Sequence, residues 1–234
     1  MKVLIIIPAY NEANSIVRVT DDLIKNYPQY DFLIINDCSI DNTEQVCKEN
    51  SYNYITLPVN LGIGGGVQAG YKYAYKNNYD IAIQIDGDGQ HDSSCLGNLI
   101  EPITEGRADM VIGSRFIRKE GFQSSSMRRL GIKFLSNLIY KIFDVKVLDV
   151  TSGFRAVNKK MIKLFSSEYA QDYPEPEAVV VGALNGAKIM EVPVVMHKRE
   201  NGVSSISAIK SMYYMIKVSI AIVLHSIEYK FGRK

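Results

Sequence analysis

Over the first 115 residues, short apolar runs alternate with segments whose apolar residues recur at helical spacing. Val3–Ile7 is an unbroken run of Val, Leu and Ile, which is typical of a strand buried on both faces of a sheet. Pro8 ends this run, and apolar residues at helical spacing follow between 13 and 26. Because the alternation repeats, the sequence predicts an α/β fold with a Rossmann-like, mostly parallel sheet flanked by helices.

The polar residues of interest follow predicted strands. We expect strands at 3–7, 32–35, 54–57, 80–85, 109–113 and 188–195, and helices at 13–26, 41–50, 93–105, 128–143 and 205–230, with another helix ending near 77. In parallel sheets, ligands bind at the carboxyl ends of the strands. Asn11–Glu12, Asp37, Asp86–Asp88 and Ser114–Arg115 all follow strands. The sequence therefore predicts one candidate site along this edge.

Composition describes an ordinary globular protein. Of the 234 residues, 47% are hydrophobic and 22% are charged, which excludes disordered and fibrous classes. The three cysteines form no CxxC pair, so neither a disulfide framework nor a zinc site is indicated, and a reducing cytoplasm is expected. The five apolar residues before Pro8 are too few for a signal-peptide core. We expect one domain over 1–204, followed by a helical segment at 205–234.

Charge is unevenly distributed along the chain. Residues 1–106 carry 6 basic and 14 acidic side chains, whereas residues 107–146 carry 9 basic and 3 acidic ones. Residues 197–234 carry 7 basic and 2 acidic side chains. The two basic segments indicate an anionic partner such as a phosphate or a lipid headgroup, and solvated faces are the alternative. The acidic first half disfavours nucleic-acid binding.

The segment IDGDGQH at 85–91 places two carboxylates, Asp86 and Asp88, where a predicted buried strand ends. Charges beside a core are costly unless they are paired, and no Lys or Arg is near them in the sequence. An EF-hand loop is excluded because its sixth and twelfth positions here are His91 and Gly97. Two carboxylates at this spacing can bind one divalent cation that also carries phosphate oxygens, and a structural turn is the alternative.

The glycine-rich segment NLGIGGGVQAGY at 60–71 is the competing nucleotide signal. It contains a loose match to the dinucleotide-binding fingerprint, but that fingerprint belongs on the first strand-to-helix turn, which here reads PAYNEANS. We therefore interpret the glycines as allowing a close backbone approach. The sequence contains no P-loop motif, and its three histidines are scattered, so neither NTPase nor hydrolase chemistry is favoured. A nucleotide-binding module without catalysis stays an alternative.

Seven segments occur in order along the chain: PAYNE, NDCSIDNT, NLGIGGG, DGDGQH, GSR, TSGFR and EVPV. Together they resemble the polyprenyl-phosphate glycosyltransferases of glycosyltransferase family 2, the group similar to dolichyl-phosphate mannose synthase. The resemblance covers about residues 3–205. It implies a GT-A fold, a nucleotide-sugar donor, Mg²⁺ or Mn²⁺ as cofactor, and a polyprenyl-phosphate acceptor.

The resemblance also implies roles for individual residues. The donor nucleotide would contact Pro8, Tyr10, Glu12, Asp37, Asp86 and Arg199. The metal ion would contact Asp86, Asp88 and Gln90. The acceptor phosphate would contact Arg115, Arg155 and either Arg128 or Arg129. The implied catalytic residues are Asp88, Arg115 and Glu177.

Two positions depart from the family pattern. Asn36 stands where the family usually has an acid, so only Asp37 is assigned to the donor. Ile132 or Lys133 stands where the family often has a serine after the acceptor arginine, and the choice between Arg128 and Arg129 stays open.

The implied reaction needs no strong general base. A phosphate acceptor is already ionised at neutral pH, so it can attack the anomeric carbon directly and invert that centre. Arginines can hold two repelling anions together through bidentate contacts. We expect the sugar to be a hexose or an N-acetylhexosamine, with UDP rather than GDP as its carrier. A family 2 enzyme with a sugar hydroxyl acceptor is the alternative, and it would need Glu177 as a base.

Residues 205–234 predict a C-terminal amphipathic helix. Their apolar stretch, 211–227, contains Lys217 and His225 and is shorter than the roughly 20 apolar residues of a membrane span. We expect an interfacial helix on anionic lipid, which would make the protein peripheral at the inner face of the cell membrane. Packing on the core is the alternative, and a membrane-protein partner and a homo-oligomer stay open.

Overall fold

A computed structural model describes residues 1–198 and 208–232, with the side chains of the last helix described from 214 to 227. The strands are β1 (Val3–Ala9), β2 (Asp31–Asn36), β3 (Tyr54–Thr56), β4 (Ile81–Gln84), β5 (Met110–Ser114), β6 (Arg155–Asn158) and β7 (Ile189–Pro193). The helices are α1 (Ile16–Asn26), α2 (Thr43–Glu49), α3 (Gly62–Lys76), α4 (Leu96–Thr104), α5 (Ser126–Phe143), α6 (Lys159–Ser167), α7 (Pro174–Leu184) and α8 (Ala208–Gly232).

The strands form a single sheet in the order β3-β2-β1-β4-β6-β5-β7. All pairs are parallel except those of β6, which runs antiparallel to both β4 and β5. Every residue of β1 is buried, and its side chains alternate between two hydrophobic clusters. Leu4 and Ile6 lie in one cluster, whereas Val3, Ile5 and Ile7 lie in the other. The prediction of a mostly parallel sheet covered on both faces is confirmed.

Strand β6 was not predicted from the sequence. It contains only 4 residues, too few for a periodic pattern to stand out. Its register places Arg155 opposite Gln84 of β4 and Ile112 of β5. This antiparallel insertion brings the TSGFR segment next to the loop that follows β4.

The C-terminal helix α8 packs on α5 and α7. Val218 and Ile222 are fully buried. Tyr214 stacks edge-on against Tyr173, with ring centroids 4.6 Å apart, and Lys217 forms an ion pair with Asp172. Lys217, which interrupts the apolar stretch, is thus paired with a residue of this protein.

The outer face of α8 is apolar. Its exposed side chains recur at helical spacing and are Ile216, Ile220, Val223, Leu224 and Ile227. No helix in the described part of the chain is long and apolar enough to span a membrane. Such a one-sided apolar stripe is typical of a helix that contacts a surface.

Candidate active site

A cleft of about 400 Å³ lies at the carboxyl edge of β1, β2 and β4. Six residues selected from the sequence line it together: Pro8, Tyr10, Glu12, Asp37, Asp86 and Asp88. They converge because neighbouring parallel strands end at the same edge of a sheet. The first turn of α3 and Glu175 of α7 complete the wall.

Asp37 and Asn36 shape one end of the cleft. Asp37 is buried, and one of its oxygens accepts a hydrogen bond of 2.7 Å from the Leu61 N–H at the start of α3. Asn36 lies beneath it, donating to the Thr56 hydroxyl and accepting from the Ser39 N–H. Both the NH₂ group and the carbonyl oxygen of the Asn36 side chain thus form hydrogen bonds within the protein. These bonds are a local explanation for the asparagine that stands where the family usually has an acid.

Helix α3 begins with the glycine-rich segment, and its glycines allow close packing. A Cβ at Gly64 would lie 2.1 Å from the Ala170 carbonyl oxygen, and the Gly64 N–H donates to the Gln171 carbonyl. Gly66 lines the cleft and lies close to Pro8. The segment is therefore a tightly packed helix start, as interpreted from the sequence.

Asp86 is held at the end of β4 by groups on two sides. Its backbone N–H donates to His91 Nδ1 at 3.0 Å, and His91 Nε2 lies 3.6 Å from its Oδ2. The Gln84 amide donates to Asp86 Oδ1 at 3.3 Å. The His91 ring stacks on Phe154, with centroids 4.7 Å apart and planes 11° from parallel. Because Nδ1 accepts, the ring proton lies on Nε2 and points towards the carboxylate.

Asp88 is 6% exposed, and its Oδ1 accepts a hydrogen bond of 3.0 Å from the Gln90 N–H. The Gln90 side chain donates to the His197 carbonyl oxygen at 3.4 Å and is not part of the cleft wall, so its metal contact stays a prediction. Arg18 of α1 lies close to Gly89. A Cβ atom added to Gly89 would lie 2.2 Å from Nη2 of Arg18. A cation that is distant in sequence thus lies beside the acidic loop.

Asp86 and Asp88 could hold a cation only with further ligands. Within residues 1–198 and 208–232, no group of three or more His, Cys, Asp or Glu side chains could hold a metal ion. Mg²⁺ and Mn²⁺ bind through one or two carboxylates when phosphate oxygens and water supply the remaining positions. Gly153 keeps the site open, since a Cβ there would lie 3.1 Å from Asp86 Oδ1. The residues present fit a cation that binds together with a diphosphate.

Arg155 is fully buried beneath the cleft. Its Nε donates to the Ser152 carbonyl at 3.0 Å, and its Nη1 donates to the Glu175 carbonyl at 2.9 Å. These contacts join β6 to the start of α7. The structure does not bring Arg155 to the cleft surface, so its contact with an acceptor phosphate stays a prediction, and the geometry favours a structural role.

Glu175, which was not selected from the sequence, lines the cleft with Asp86. Burial raises the pKa of its carboxyl, the charges of Arg155 and Arg128 lower it, and the charge of Asp86 raises it. Glu177 lies elsewhere, with its Oε2 3.5 Å from Nε2 of His225 on α8. Residues two apart on a helix point in different directions, which separates these two glutamates.

Arg115 follows β5 and is 7% exposed. Its Nε and Nη2 donate to the two carboxylate oxygens of Asp149 at 2.7 and 2.6 Å, and Nη2 also contacts the Thr151 hydroxyl. Glu191 accepts from the N–H groups of Leu148 and Asp149, and burial raises the pKa of Glu191. The charge of Arg115 is thus already paired, and its role at the acceptor phosphate stays a prediction.

The structure separates Arg128 from Arg129. Burial raises the pKa values of Glu175 and Tyr214, and the charge of Arg128 acts against this rise at both groups. Arg128 is exposed near the start of α5, and its charge reaches the buried carboxyl of Glu175. Arg129 donates to the Ser126 hydroxyl at 3.2 Å and lines a different cavity. Arg199 lies outside the described residues.

Comparison with known proteins identifies the family. Residues 4–165 match the sequence profile of glycosyl transferase family 2, which is more than half of the chain. This chain belongs to glycosyltransferase family 2. It is 30% identical over 215 residues to the UDP-N-acetylglucosamine–dolichyl-phosphate N-acetylglucosaminyltransferase of Methanococcus voltae, covering 82% of this chain and 84% of the relative.

A second family 2 relative is the undecaprenyl-phosphate mannosyltransferase of Micrococcus luteus, which is 28% identical and covers 88% of each chain. Among solved structures, the chain is similar to mannosyl-3-phosphoglycerate synthase from Rubrobacter xylanophilus, with a TM-score of 0.73. The two sequences are 18% identical, and the match covers all of this chain and 76% of the synthase. It is also similar to glucosyl-3-phosphoglycerate synthase from Mycobacterium tuberculosis, solved with Mn²⁺, UDP and product, with a TM-score of 0.69 and 18% identity over 96% and 79% of the two chains. The predicted GT-A fold is confirmed.

His91 is a positioning residue that we expect to affect metal binding by this family 2 protein. His91→Phe keeps a ring to stack on Phe154 but removes the acceptor for the Asp86 N–H. We expect it to weaken Mn²⁺ binding about tenfold, because groups that orient metal ligands contribute roughly this much. His91→Asn restores an acceptor near the position of Nδ1 and should recover part of the loss. Mn²⁺ titration followed by paramagnetic relaxation measures this, and unchanged binding in His91→Phe would contradict it.

Proposed function

We propose that this chain is an inverting glycosyltransferase that transfers a hexose or N-acetylhexosamine from a UDP-sugar to a polyprenyl phosphate. The observation that carries the proposal is the cleft itself, in which Asp37 lies at one end, Asp86 and Asp88 lie together, and Glu175 completes the wall. The relatives named above support the acceptor, because both are transferases acting on a polyprenyl phosphate by name.

The cleft residues match the charges that the reaction would present. Mg²⁺ or Mn²⁺, when bound, would stabilise the negative charge that develops on the departing diphosphate. Asp86 and Asp88 would hold that cation, with Asp86 oriented by His91. Tyr10 is 46% exposed at the cleft and offers an aromatic face to a nucleobase. Mn²⁺ and UDP in the structurally similar synthase support this pairing of metal and nucleotide.

Arg128 would hold the acceptor phosphate. A phosphate needs no base, so the main task of the protein is to place it beside the donor against the repulsion between two anions. The Arg128 guanidinium, whose charge lowers the pKa of Glu175 in the cleft, suits this task because it can contact two phosphate oxygens at once. Arg199, at the donor phosphates, is part of the same proposal.

A sugar hydroxyl acceptor is the second candidate function, and Glu175 is the observation that favours it. A carboxyl in the cleft with a raised pKa is suited to accept a proton from a hydroxyl group. Arg128→Ala and Glu175→Gln distinguish the two functions. A phosphate acceptor predicts the larger loss of kcat/KM in Arg128→Ala, whereas a hydroxyl acceptor predicts it in Glu175→Gln.

The experiment that tests the function is a transfer assay with purified protein, Mn²⁺, farnesyl phosphate and a panel of UDP- and GDP-sugars, analysed by mass spectrometry. We expect a sugar-phosphate-farnesyl product with one UDP-sugar and loss of product when EDTA removes the metal. Product formed only with a sugar hydroxyl acceptor, or formed at full rate in EDTA, would contradict the proposal.

The apolar face of α8 would contact the membrane in which the acceptor resides. Exposed Met127, Leu130 and Phe134 of α5 extend the apolar surface close to the packed pair of helices. Such a surface supports peripheral binding at a lipid interface. The inner face of the cell membrane is the location we propose, since nucleotide sugars are supplied there.

Ile220→Asp combined with Leu224→Asp tests this membrane contact. Each charge would have to enter the lipid interface, so we expect flotation with anionic liposomes to fall about tenfold. The buried residues Val218 and Ile222 stay unchanged, which preserves the packing of α8. Thr104→Asp, at an exposed position at the end of α4, is the control for added charge. Equal flotation of the double variant and the wild type would argue against the contact.

A further inference from the structure

A short segment, residues 170–173, contacts both the first turn of α3 and the last helix. On the α3 side, the Gly64 N–H donates to the Gln171 carbonyl oxygen at 3.2 Å, and a Cβ added to Gly64 would lie 2.1 Å from the Ala170 carbonyl oxygen. The Gln171 side-chain amide also donates to Oε1 of Gln68 on α3 at 3.3 Å. Because no side chain separates the two backbones at Gly64, a displacement of the segment would displace the start of α3.

The start of α3 is one wall of the donor cleft. Gly62, Ile63 and Gly66 line the cleft, and the N–H just before them, that of Leu61, donates to the buried Asp37 carboxylate. At its other end, the 170–173 segment continues into α7, where Glu175 lines the same cleft. The segment therefore supports the cleft from two sides, although its own four residues do not line it.

Helix α8 holds the opposite side of the segment. Tyr214 packs edge-on against Tyr173, with ring centroids 4.6 Å apart, and Lys217 forms an ion pair with Asp172. Lys217 Nζ also lies 5.3 Å from the centroid of the Tyr173 ring. Tyr214 and Lys217 are three residues apart on α8, so both side chains reach the segment from one helix face.

The three contacts act together on two adjacent residues of the segment. An exposed ion pair alone contributes little to stability, and both members of the Lys217–Asp172 pair are partly exposed. Here the ion pair is combined with a cation–π contact and an edge-to-face aromatic contact, both at Tyr173. The combination restricts the position of the segment and hence that of the α3 start.

We propose that Tyr214 and Lys217 of α8 are positioning residues for the donor cleft, acting through residues 170–173 on the start of α3. They order one wall of the cleft before a nucleotide arrives, and a wall that is already ordered binds more tightly than one that must be ordered on binding. The proposal rests on the proposed function only for the ligand, a UDP nucleotide bound with Mn²⁺.

The test measures UDP binding to the full chain in saturating Mn²⁺ by isothermal titration calorimetry. We expect Tyr214→Ala combined with Lys217→Ala to weaken UDP binding about fivefold, a typical coupling between separate sites. Tyr214→Phe combined with Lys217→Arg keeps the ring and the positive charge and should restore binding. The matched control, Tyr75→Ala with Lys76→Ala, removes the same residue types from exposed positions at the far end of α3 and should stay within about twofold of the wild type.

Hydrogen exchange without nucleotide tests the positioning role separately from UDP binding. Amide exchange at residues 62–66 should become faster in the double alanine variant, whereas the buried strand β1 should keep its protection and so report an intact fold. Asp172→Asn removes the same ion pair at a largely exposed side chain, so it should fold and show a smaller increase at 62–66.

Unchanged exchange at 62–66 in both variants would overturn the proposal, as would an equal loss of UDP affinity in the Tyr75 and Lys76 control. A wild-type protein that bound no UDP would contradict the proposed function instead, and exchange at 62–66 would still decide the positioning role.

Discussion

Asp88→Ala is expected to lower kcat/KM for sugar transfer about a thousandfold while leaving the fold intact, since removing one preorganised electrostatic contact to a developing charge costs about this much. Asp88 is nearly buried, and its carboxylate is oriented by the Gln90 N–H next to Asp86. Without it, a cation would keep only the Asp86 carboxylate of the acidic loop. Transfer assays over a range of Mn²⁺ concentrations measure the effect, and a high metal concentration should recover only part of it.

Asp88→Asn and Glu101→Ala are the controls for this prediction. Asp88→Asn keeps the volume and one oxygen but removes the charge, so it should lose nearly as much activity as Asp88→Ala. Glu101 is exposed on α4, and its removal should leave transfer unchanged. A fully active Asp88→Ala protein with normal Mn²⁺ dependence would remove the argument for a metal at this loop.

Arg128→Ala is expected to lower kcat/KM for farnesyl phosphate about a hundredfold, whereas Arg129→Ala should lower it less than about threefold. The two arginines are adjacent in sequence, and the charge of Arg128 lowers the pKa of Glu175 in the cleft. Arg129 instead contacts Ser126 and lines a cavity that is separate from the cleft. Both substitutions remove one positive charge from the same turn of α5, so each is the matched control of the other.

Steady-state kinetics with the soluble acceptor separate the contributions of binding and chemistry. We expect the KM for the UDP-sugar to stay near the wild-type value in Arg128→Ala, because most of the residues proposed to contact the donor lie at or after the ends of β1, β2 and β4. A larger loss in Arg129→Ala than in Arg128→Ala would contradict the assignment. Equal losses would indicate that the local charge of the helix start matters more than a specific contact.

The acidic loop and the donor cleft could be predicted because they follow from local patterns. The strand that precedes Asp86 is a continuous apolar run, and its neighbours in the sheet are runs of the same kind. Parallel strands end at one edge, so residues directly after β1, β2 and β4 had to meet. The residues that hold Asp86 were harder to assign. His91 appeared as a scattered histidine, although its spacing of five residues from Asp86 was the available signal.

The surroundings of the residues assigned to the acceptor phosphate could not be predicted in the same way. Glu175 and Glu177 have almost identical neighbours in the sequence. In the structure, Glu175 lines the cleft, whereas Glu177 lies against His225 of α8. Arg155 matched a family motif, yet the unpredicted strand β6 buries it completely. Arg115 matched another, yet Asp149, 34 residues away in the chain, already pairs with it.

The sequence by itself determined the α/β class, the mostly parallel order of its first half, the position of the acidic loop and membership of the family. These features depend on the two-residue and 3.6-residue periods of strands and helices, and on residues that are neighbours in the chain. Only the tertiary structure decided which of two nearby glutamates lines the cleft, and that Arg129 lines a different cavity from the cleft. The direction of a helical side chain relative to other elements depends on packing between distant segments, and no local pattern records that packing.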